Sequence, residues 1–214
     1  MVHPSLPRRG VYAITDGPRA DLLEAAEAAL QGGAVLLQYR DKTDDALRRA
    51  GEARALATLC RPHDVPLIVN DDVQLALESG AAGVHLGEDD APIVQARAAL
   101  GPDAIIGVSC HDSLQRAREA AAEGADYLAF GAFFSSPTKP QARHATPDLL
   151  RAAREFGKPL VAIGGVTPDN GGSLIAAGAD FLAAVSGIFG AQDVRAAARR
   201  YAELFKRMKA HSHG

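Results

Sequence analysis

The chain has 214 residues, 47% of them hydrophobic, with 23 basic and 26 acidic side chains and a formal net charge of −3. That length suits one sizeable core, and the balanced charge without a basic run or a long apolar stretch argues against nucleic-acid or membrane partners. Cys60 and Cys110 lack metal spacing and read as reduced thiols of a cytoplasmic protein, while the opening "MVHPSLPRRG" has no signal-peptide run.

Taken in chain order, "GVYAIT" (10–15) reads as a strand and 20–31 as a helix. "QGGAVLLQ" (31–38) ends that helix on glycine and starts a short apolar run. The same cadence returns in "ESGAAGVHL" (78–86), "AEGADYLAF" (122–130) and "AAGADFLAA" (176–184). Glycine suits a helix cap, and each apolar run is too short for a helix and reads as a strand buried on both faces. Strands at 66–70, 104–109 and 159–163 complete the eight, with helices at 44–60, 72–79, 91–99, 113–123, 147–156, 168–177 and 193–208. This alternation argues for a parallel sheet closed into a TIM barrel, (β/α)₈, with the doubly wound open sheet as the alternative. One domain over 1–214 is expected, ordered from about 10 to 208, with 209–214, holding His211 and His213, as a frayed tail. The basic face of helix 193–208 reads as solvated surface.

Active sites of such barrels lie at the C-terminal ends of the strands. Read there, "QYRDK" (38–42) offers Gln38, Arg40 and Lys42, whose alternate spacing puts all three on one face of an extended segment. "NDD" (70–72) and "HLGEDD" (85–90) offer carboxylates. Strand five ends in Ser109, Cys110 and His111. The long connection 131–146, "GAFFSSPTKPQARHAT", carries Ser136, Thr138 and Lys139 and is long enough to be functional. "VAIGGVTPDN" (161–170) stops a strand on Gly164-Gly165 and opens a helix with Thr167-Pro168; "VSGIFG" (185–190) follows strand eight. That last pair matches the barrel phosphate site, where backbone N–H groups hold a phosphate ester. The cations suit a second, more highly charged anion, and Asp71 with Asp90 suits Mg²⁺ shared with phosphate oxygens. A pyrophosphate beside a monophosphate accounts for both groups.

The stretches "YAITD" (12–16), "LLQYRDK" (36–42), "LIVNDD" (67–72), "GVHLGEDD" (83–90), "IIGVSCH" (105–111), "GAFFSSPTKP" (131–140), "VAIGGVTP" (161–168) and "AAVSGIFG" (183–190) together resemble the thiamine-phosphate synthase family, in family order. The resemblance implies a transferase that joins a hydroxymethylpyrimidine pyrophosphate to a thiazole phosphate, releasing pyrophosphate. It implies a dissociative step, in which pyrophosphate leaves a pyrimidine-methyl cation that the thiazole nitrogen attacks. By position, the pyrimidine pyrophosphate would be held by the stretch Gln38, Tyr39, Arg40, Asp41 and Lys42 with Asn70, Ser109 and Lys139. Arg40, Ser109 and Lys139 would be the catalytic members. Ser136, Thr138, Gly165, Val185 and Ser186 would hold the thiazole phosphate, and Asp71 and Asp90 one Mg²⁺ per site. The chain departs from the family where Ser135-Ser136 stands for Pro-Thr and where "QYR" stands for "QLR"; alternation turns the Tyr39 side chain away from the site.

Blander roles compete at several positions. Asp71 and Asp72 are both placed to cap the next helix, so one is expected to cap and the other, Asp71, to bind metal. Glu88 and Asp89 read as solvated, His85 as a hydrogen-bonded interior histidine, and Cys110 as packing. His111 has no assigned role. Two rival functions use the same barrel: a thiazole tautomerase-like isomerase, which needs no pyrophosphate clamp, and a non-catalytic binder of phosphate ligands. The sequence leaves a homo-oligomer open.

Overall fold

The structure, a computed structural model, describes residues 6–7, 9–134 and 144–211, with side chains through 207. Its strands are β1 (Gly10–Ile14), β2 (Ala34–Tyr39), β3 (Leu67–Asn70), β4 (Gly83–Leu86), β5 (Ile105–His111), β6 (Tyr127–Phe130), β7 (Leu160–Ala162) and β8 (Phe181–Ala184). All neighbouring pairs are parallel, and β1 also pairs with β8, so the sheet closes in the order β1 to β8. That closure excludes the open doubly wound sheet. The helices between strands are α1 (Leu22–Gln31), α2 (Ala46–Cys60), α3 (Val73–Ser79), α4 (Ile93–Leu100), α5 (Leu114–Ala122), α6 (Pro147–Ala153) and α7 (Gly171–Ala177). A short α8 (Ser186–Phe189) and the long α9 (Val194–His211) follow β8.

The sequence explains these boundaries locally. Asp45, Asp72 and Ser113 cap α2, α3 and α5 by accepting from the N–H groups of Arg48, Leu75 and Arg116. Gly80 ends α3 with φ of 70°, a left-handed conformation that glycine adopts without penalty. One boundary differs from expectation, because regular helix α7 begins at Gly171 rather than 168. Thr167 and Asn170 bond each other reciprocally, Thr167 N–H to Asn170 Oδ1 at 2.8 Å and Asn170 N–H to Thr167 Oγ1 at 3.3 Å. This is a capping-box exchange with Pro168 as the next residue, so the Thr-Pro signal marks a real entry turn ahead of the helix proper. At the other end, α9 runs to His211, past the expected 208.

Two cores result. Between sheet and helices lie Leu37, Tyr39, Leu56, Val69, Leu86, Val108, Leu128 and Leu182, among others. Inside the barrel lie Tyr12, Ile14, Leu36, Ile68, Ile105, Tyr127, Val161 and Phe181, with Leu6 packed against them. Strand alternation assigns each residue to one core or the other. The large ring of Tyr127 fits because its direct partner across the β5–β6 pairing is Gly107, where a Cβ would overlap it. Outside the barrel, Ala198, Tyr201 and Phe205 bury one face of α9, and the Tyr201 hydroxyl donates to Val166 O at 2.8 Å, bracing the β7 exit. Arg195, Arg199 and Arg200 stay on the exposed face. Among the described residues no helix is long and apolar enough to cross a membrane.

Candidate active site

Four strand ends meet at one side of the barrel mouth. On β2, Gln38 shares the inward parity of Leu36 and is 3% exposed. Arg40 follows on the same parity, its backbone N–H and C=O both bonded to the Thr15 hydroxyl. Its side chain carries no ion pair among the described residues, which leaves a half-buried cation at the mouth. The Lys42 ammonium lies 3.2 Å from Asp71 Oδ2. Asn70, at the end of β3, sits opposite His85 of β4.

The two expected metal ligands converge. Asp71 has φ of 64°, and its N–H donates to His85 O at 2.8 Å, which turns the chain sharply off β3. Its carboxylate lies within hydrogen-bond reach of Asp90. Asp90 accepts from the Gly87 N–H at 2.6 Å, which folds the β4 exit loop onto it. Burial pushes the Asp90 carboxyl up, and the neighbouring Asp71 pushes it further, against the lowering pull of the Gly87 N–H and Lys42. The raised Asp90 carboxyl beside a second carboxylate makes a place where a cation is favoured. Among the described residues no group of three or more His, Cys, Asp or Glu side chains is placed to hold a metal. A pair of hard oxygen donors fits Mg²⁺, which takes one or two carboxylates and completes its shell with phosphate oxygens and water.

The residues around this pair take the other roles. Asp72, rather than Asp71, caps α3 and also pairs with Arg49 at 3.1 Å. Asp89 is exposed, and so is Glu88, which lies 3.9 Å from His111 Nε2. Cys110 packs in the outer core, its thiol pushed up to about 12 by burial.

Beneath the mouth runs a continuous hydrogen-bond chain. Gln38 Nε2 donates to Tyr12 OH at 2.7 Å, and Tyr12 OH meets Tyr127 OH at 2.8 Å. Tyr127 OH lies 3.0 Å from His85 Nδ1, and His85 Nε2 lies 2.8 Å from Ser109 Oγ. Burial drives the His85 pKa down to about 4, so the ring is neutral near pH 7. Sequence reasoning missed Tyr12 and Tyr127, which are 115 residues apart. The available signal was their inward parity with Gln38 and Ser109. Arg116 was also missed. From α5 it donates to Ser109 O at 2.6 Å and Gly87 O at 2.9 Å, tying the β5 exit to the loop that carries Asp90.

Two members of the expected pyrimidine set do not face the mouth. Tyr39 points outward, 1% exposed, and donates to Glu52 of α2 at 2.6 Å, as strand alternation requires. The outward side chain is the one strand alternation predicts, so any part Tyr39 takes in that set falls to its main chain. The Asp41 side chain also turns away from the mouth. Its carboxylate is buried against Arg48 at 2.7 Å and accepts from both the N–H and the hydroxyl of Thr43. Burial opposes its charge, but the Arg48 and Thr43 bonds win and hold its pKa down to about 2. It shapes the β2 exit turn instead of contacting the mouth.

On the far side, β7 and β8 are direct neighbours, and Gly165 and Ser186 follow them. Val185 stands at the head of α8, partly buried against the inner core. Gly165 has φ of 63°, and a Cβ there would come within 2.6 Å of Phe134 O. The constraint at Gly165 is thus the close approach of the 131–134 segment. Ser135, Ser136, Thr138 and Lys139 lie outside the described residues. A cavity of about 650 Å³ lined by Leu6, Cys60, Arg61 and Pro66 lies at the opposite end of the barrel and holds none of these groups.

Comparison with known proteins gives a consistent result. The family profile described as thiamine monophosphate synthase matches residues 11–188. A thiamine-phosphate synthase of Marinobacter nauticus is 52% identical over 205 residues, covering 94% of this chain and 92% of the relative. One from Acidithiobacillus ferrooxidans is 53% identical over 207 residues, covering 94% and 95%. Among solved structures, the thiamine phosphate pyrophosphorylase of Pyrococcus furiosus superposes with a TM-score of 0.84 at 35% identity, covering 94% of this chain and 96% of that one. A 3-hexulose-6-phosphate synthase, 20% identical with a TM-score of 0.68, shares the fold.

Proposed function

We propose, because this chain belongs to the thiamine monophosphate synthase family, that it is a transferase joining a hydroxymethylpyrimidine pyrophosphate to a thiazole phosphate to give thiamine phosphate and pyrophosphate. The observation that carries the reading is the profile match over 11–188 on a barrel whose mouth gathers Gln38, Arg40, Lys42, Asn70, Ser109 and the Asp71–Asp90 pair. An isomerase acting on a thiazole phosphate alone would have no use for that cation and carboxylate cluster.

The reaction breaks the bond between the pyrimidine methylene and the pyrophosphate oxygen, and the electron pair leaves with pyrophosphate. Arg40 and Lys42 face the charge that builds on that leaving group, and Lys139 is assigned the same work. Asp71 and Asp90 would hold Mg²⁺, which supplies charge neutralisation to the pyrophosphate when bound. Gln38, Asn70 and Ser109 orient the pyrimidine, so that the thiazole nitrogen meets the methylene carbon as the leaving group departs. Gly165, Val185 and Ser186, with Ser136 and Thr138, are assigned the thiazole phosphate. The half-buried Arg40, with no ion pair among the described residues, is a cation kept for an incoming anion.

Pyrophosphate release measured with each substrate alone and with both tests the proposal. Release only with both substrates, matched by thiamine phosphate, supports it. Turnover of a thiazole phosphate alone would favour the isomerase, and binding without turnover a ligand sensor.

A further inference from the structure

The hydrogen-bond chain under the mouth has a direction. A hydroxyl carries one proton and a neutral imidazole one N–H, so each link has a single donor. Gln38 Nε2 donates to Tyr12, so the Tyr12 proton has Tyr127 as its remaining partner in the chain. Tyr127 then accepts from Tyr12 and donates to His85 Nδ1. That nitrogen is bare, so His85 carries its proton on Nε2 and donates to Ser109 Oγ. The Ser109 proton is left to point away from His85, into the mouth.

Turning the Gln38 amide over reverses every link. Tyr12 then donates to Gln38, Tyr127 to Tyr12, His85 Nδ1 to Tyr127, and Ser109 to His85. In that state Ser109 offers only lone pairs to the mouth. Mixed arrangements strand a tyrosine proton where Tyr12 is 1% and Tyr127 0% exposed, and an unpaired buried group of this kind is strongly disfavoured. The chain therefore has two states.

We infer that the orientation of the Gln38 amide sets, through Tyr12, Tyr127 and His85, whether Ser109 presents a hydrogen-bond donor or an acceptor to the substrate. Tyr12, Tyr127 and His85 are positioning residues in this scheme. In the state observed, Ser109 serves an acceptor such as a ring nitrogen or phosphate oxygen; in the reversed state it would accept from an amine. The internal coupling stands on geometry alone. Its bearing on turnover rests on the proposed placement of Gln38 and Ser109 at the pyrimidine pyrophosphate.

The His85 tautomer, read by imidazole nitrogen NMR and assigned by its loss in His85→Gln, tests the coupling. The unmutated protein should show the Nε2–H form. Gln38→Glu at about pH 8 places an acceptor-only carboxylate beside Tyr12 and should move the His85 proton to Nδ1. Adding Tyr127→Phe to Gln38→Glu cuts the chain and should abolish that response. An Nδ1–H tautomer in the unmutated protein overturns the inference without any variant, as does an unmoved tautomer in folded Gln38→Glu. Kinetically, Tyr127→Phe alone should lower kcat/KM for the pyrimidine pyrophosphate about tenfold and leave KM for the thiazole phosphate unchanged. Equal losses for both substrates would mark Tyr127 as merely structural and overturn its positioning role. A tautomer that responds while pyrimidine kinetics do not would support the chain and overturn the pyrimidine assignment instead.

Discussion

Gly107→Ala adds one methyl group inside the barrel, and the structure says what it meets. A Cβ at 107 overlaps the Tyr127 ring at its outer carbons and hydroxyl. Tyr127 is 0% exposed and cannot swing into solvent. Overpacking of this kind costs about 1–3 kcal/mol. Moving the ring also disturbs its bonds to Tyr12 and His85, leaving buried groups unpaired at about 1–3 kcal/mol more. A central value of about 4 kcal/mol corresponds to a Tm lower by roughly 8–16 °C for a chain of this size. Urea unfolding followed by circular dichroism, with calorimetry for Tm, measures both. Tyr127→Ala removes the obstacle, so Gly107→Ala made in that background should cost less than about 0.5 kcal/mol. A Gly107→Ala protein as stable as the parent, or a cost that persists in full without the Tyr127 ring, would refute the packing argument.

If Asp71 and Asp90 serve one ion as proposed, Asp71→Asn and Asp90→Asn should each cut turnover by a factor on the order of 100, with the double variant little worse. Strictly additive losses in steady-state assays would count against a shared Mg²⁺. Asp72→Asn should keep turnover within a few-fold while its stability change stays below about 1 kcal/mol, since it alters a cap. Gly165→Val should push the 131–134 segment away from the β7 exit and impair thiazole phosphate use more than pyrimidine binding; equal loss of both, with the fold intact by circular dichroism, would contradict it. For pH, the His85 pKa is about 4 folded against 6.5 in the free side chain, so the unfolded chain takes up the proton first as pH falls. Stability should therefore decline from about pH 6.5 toward pH 4, by about 3 kcal/mol from this residue, and His85→Gln should flatten that part of the profile. An unchanged slope in the variant would show that His85 is not its source.

The barrel was legible because its periodic signals are local. Glycine caps, short apolar runs and Ala-rich helices repeat often enough that the strands and most helix limits fall close to expectation. Strand parity also separated Gln38 and Arg40 from Tyr39, and the outward Tyr39–Glu52 bond follows from that rule. Asp41 was harder, since its partners Thr43 and Arg48 lie beyond the strand, in a turn and a helix whose register the motif does not carry. The interior chain was harder still. It joins side chains from β1, β2, β4, β5 and β6, and contacts between residues far apart in sequence leave only a parity signal behind. Gly107 opposite Tyr127 is a small-for-large exchange that becomes readable only once the β5–β6 register is known. At Gly165 a further constraint, the close approach of the 131–134 segment, becomes readable only in the folded chain.

The central claim is that the mouth joins two phosphate-bearing substrates with Mg²⁺ held by Asp71 and Asp90. One coupled assay tests it most directly: purified protein, both substrates, and simultaneous measurement of thiamine phosphate and pyrophosphate with and without EDTA. The account predicts equal amounts of the two products, none when either substrate is omitted, loss of both on chelation and recovery when Mg²⁺ is restored. Product formation that survives chelation would contradict the metal assignment, and pyrophosphate released without thiamine phosphate would contradict the joining reaction itself.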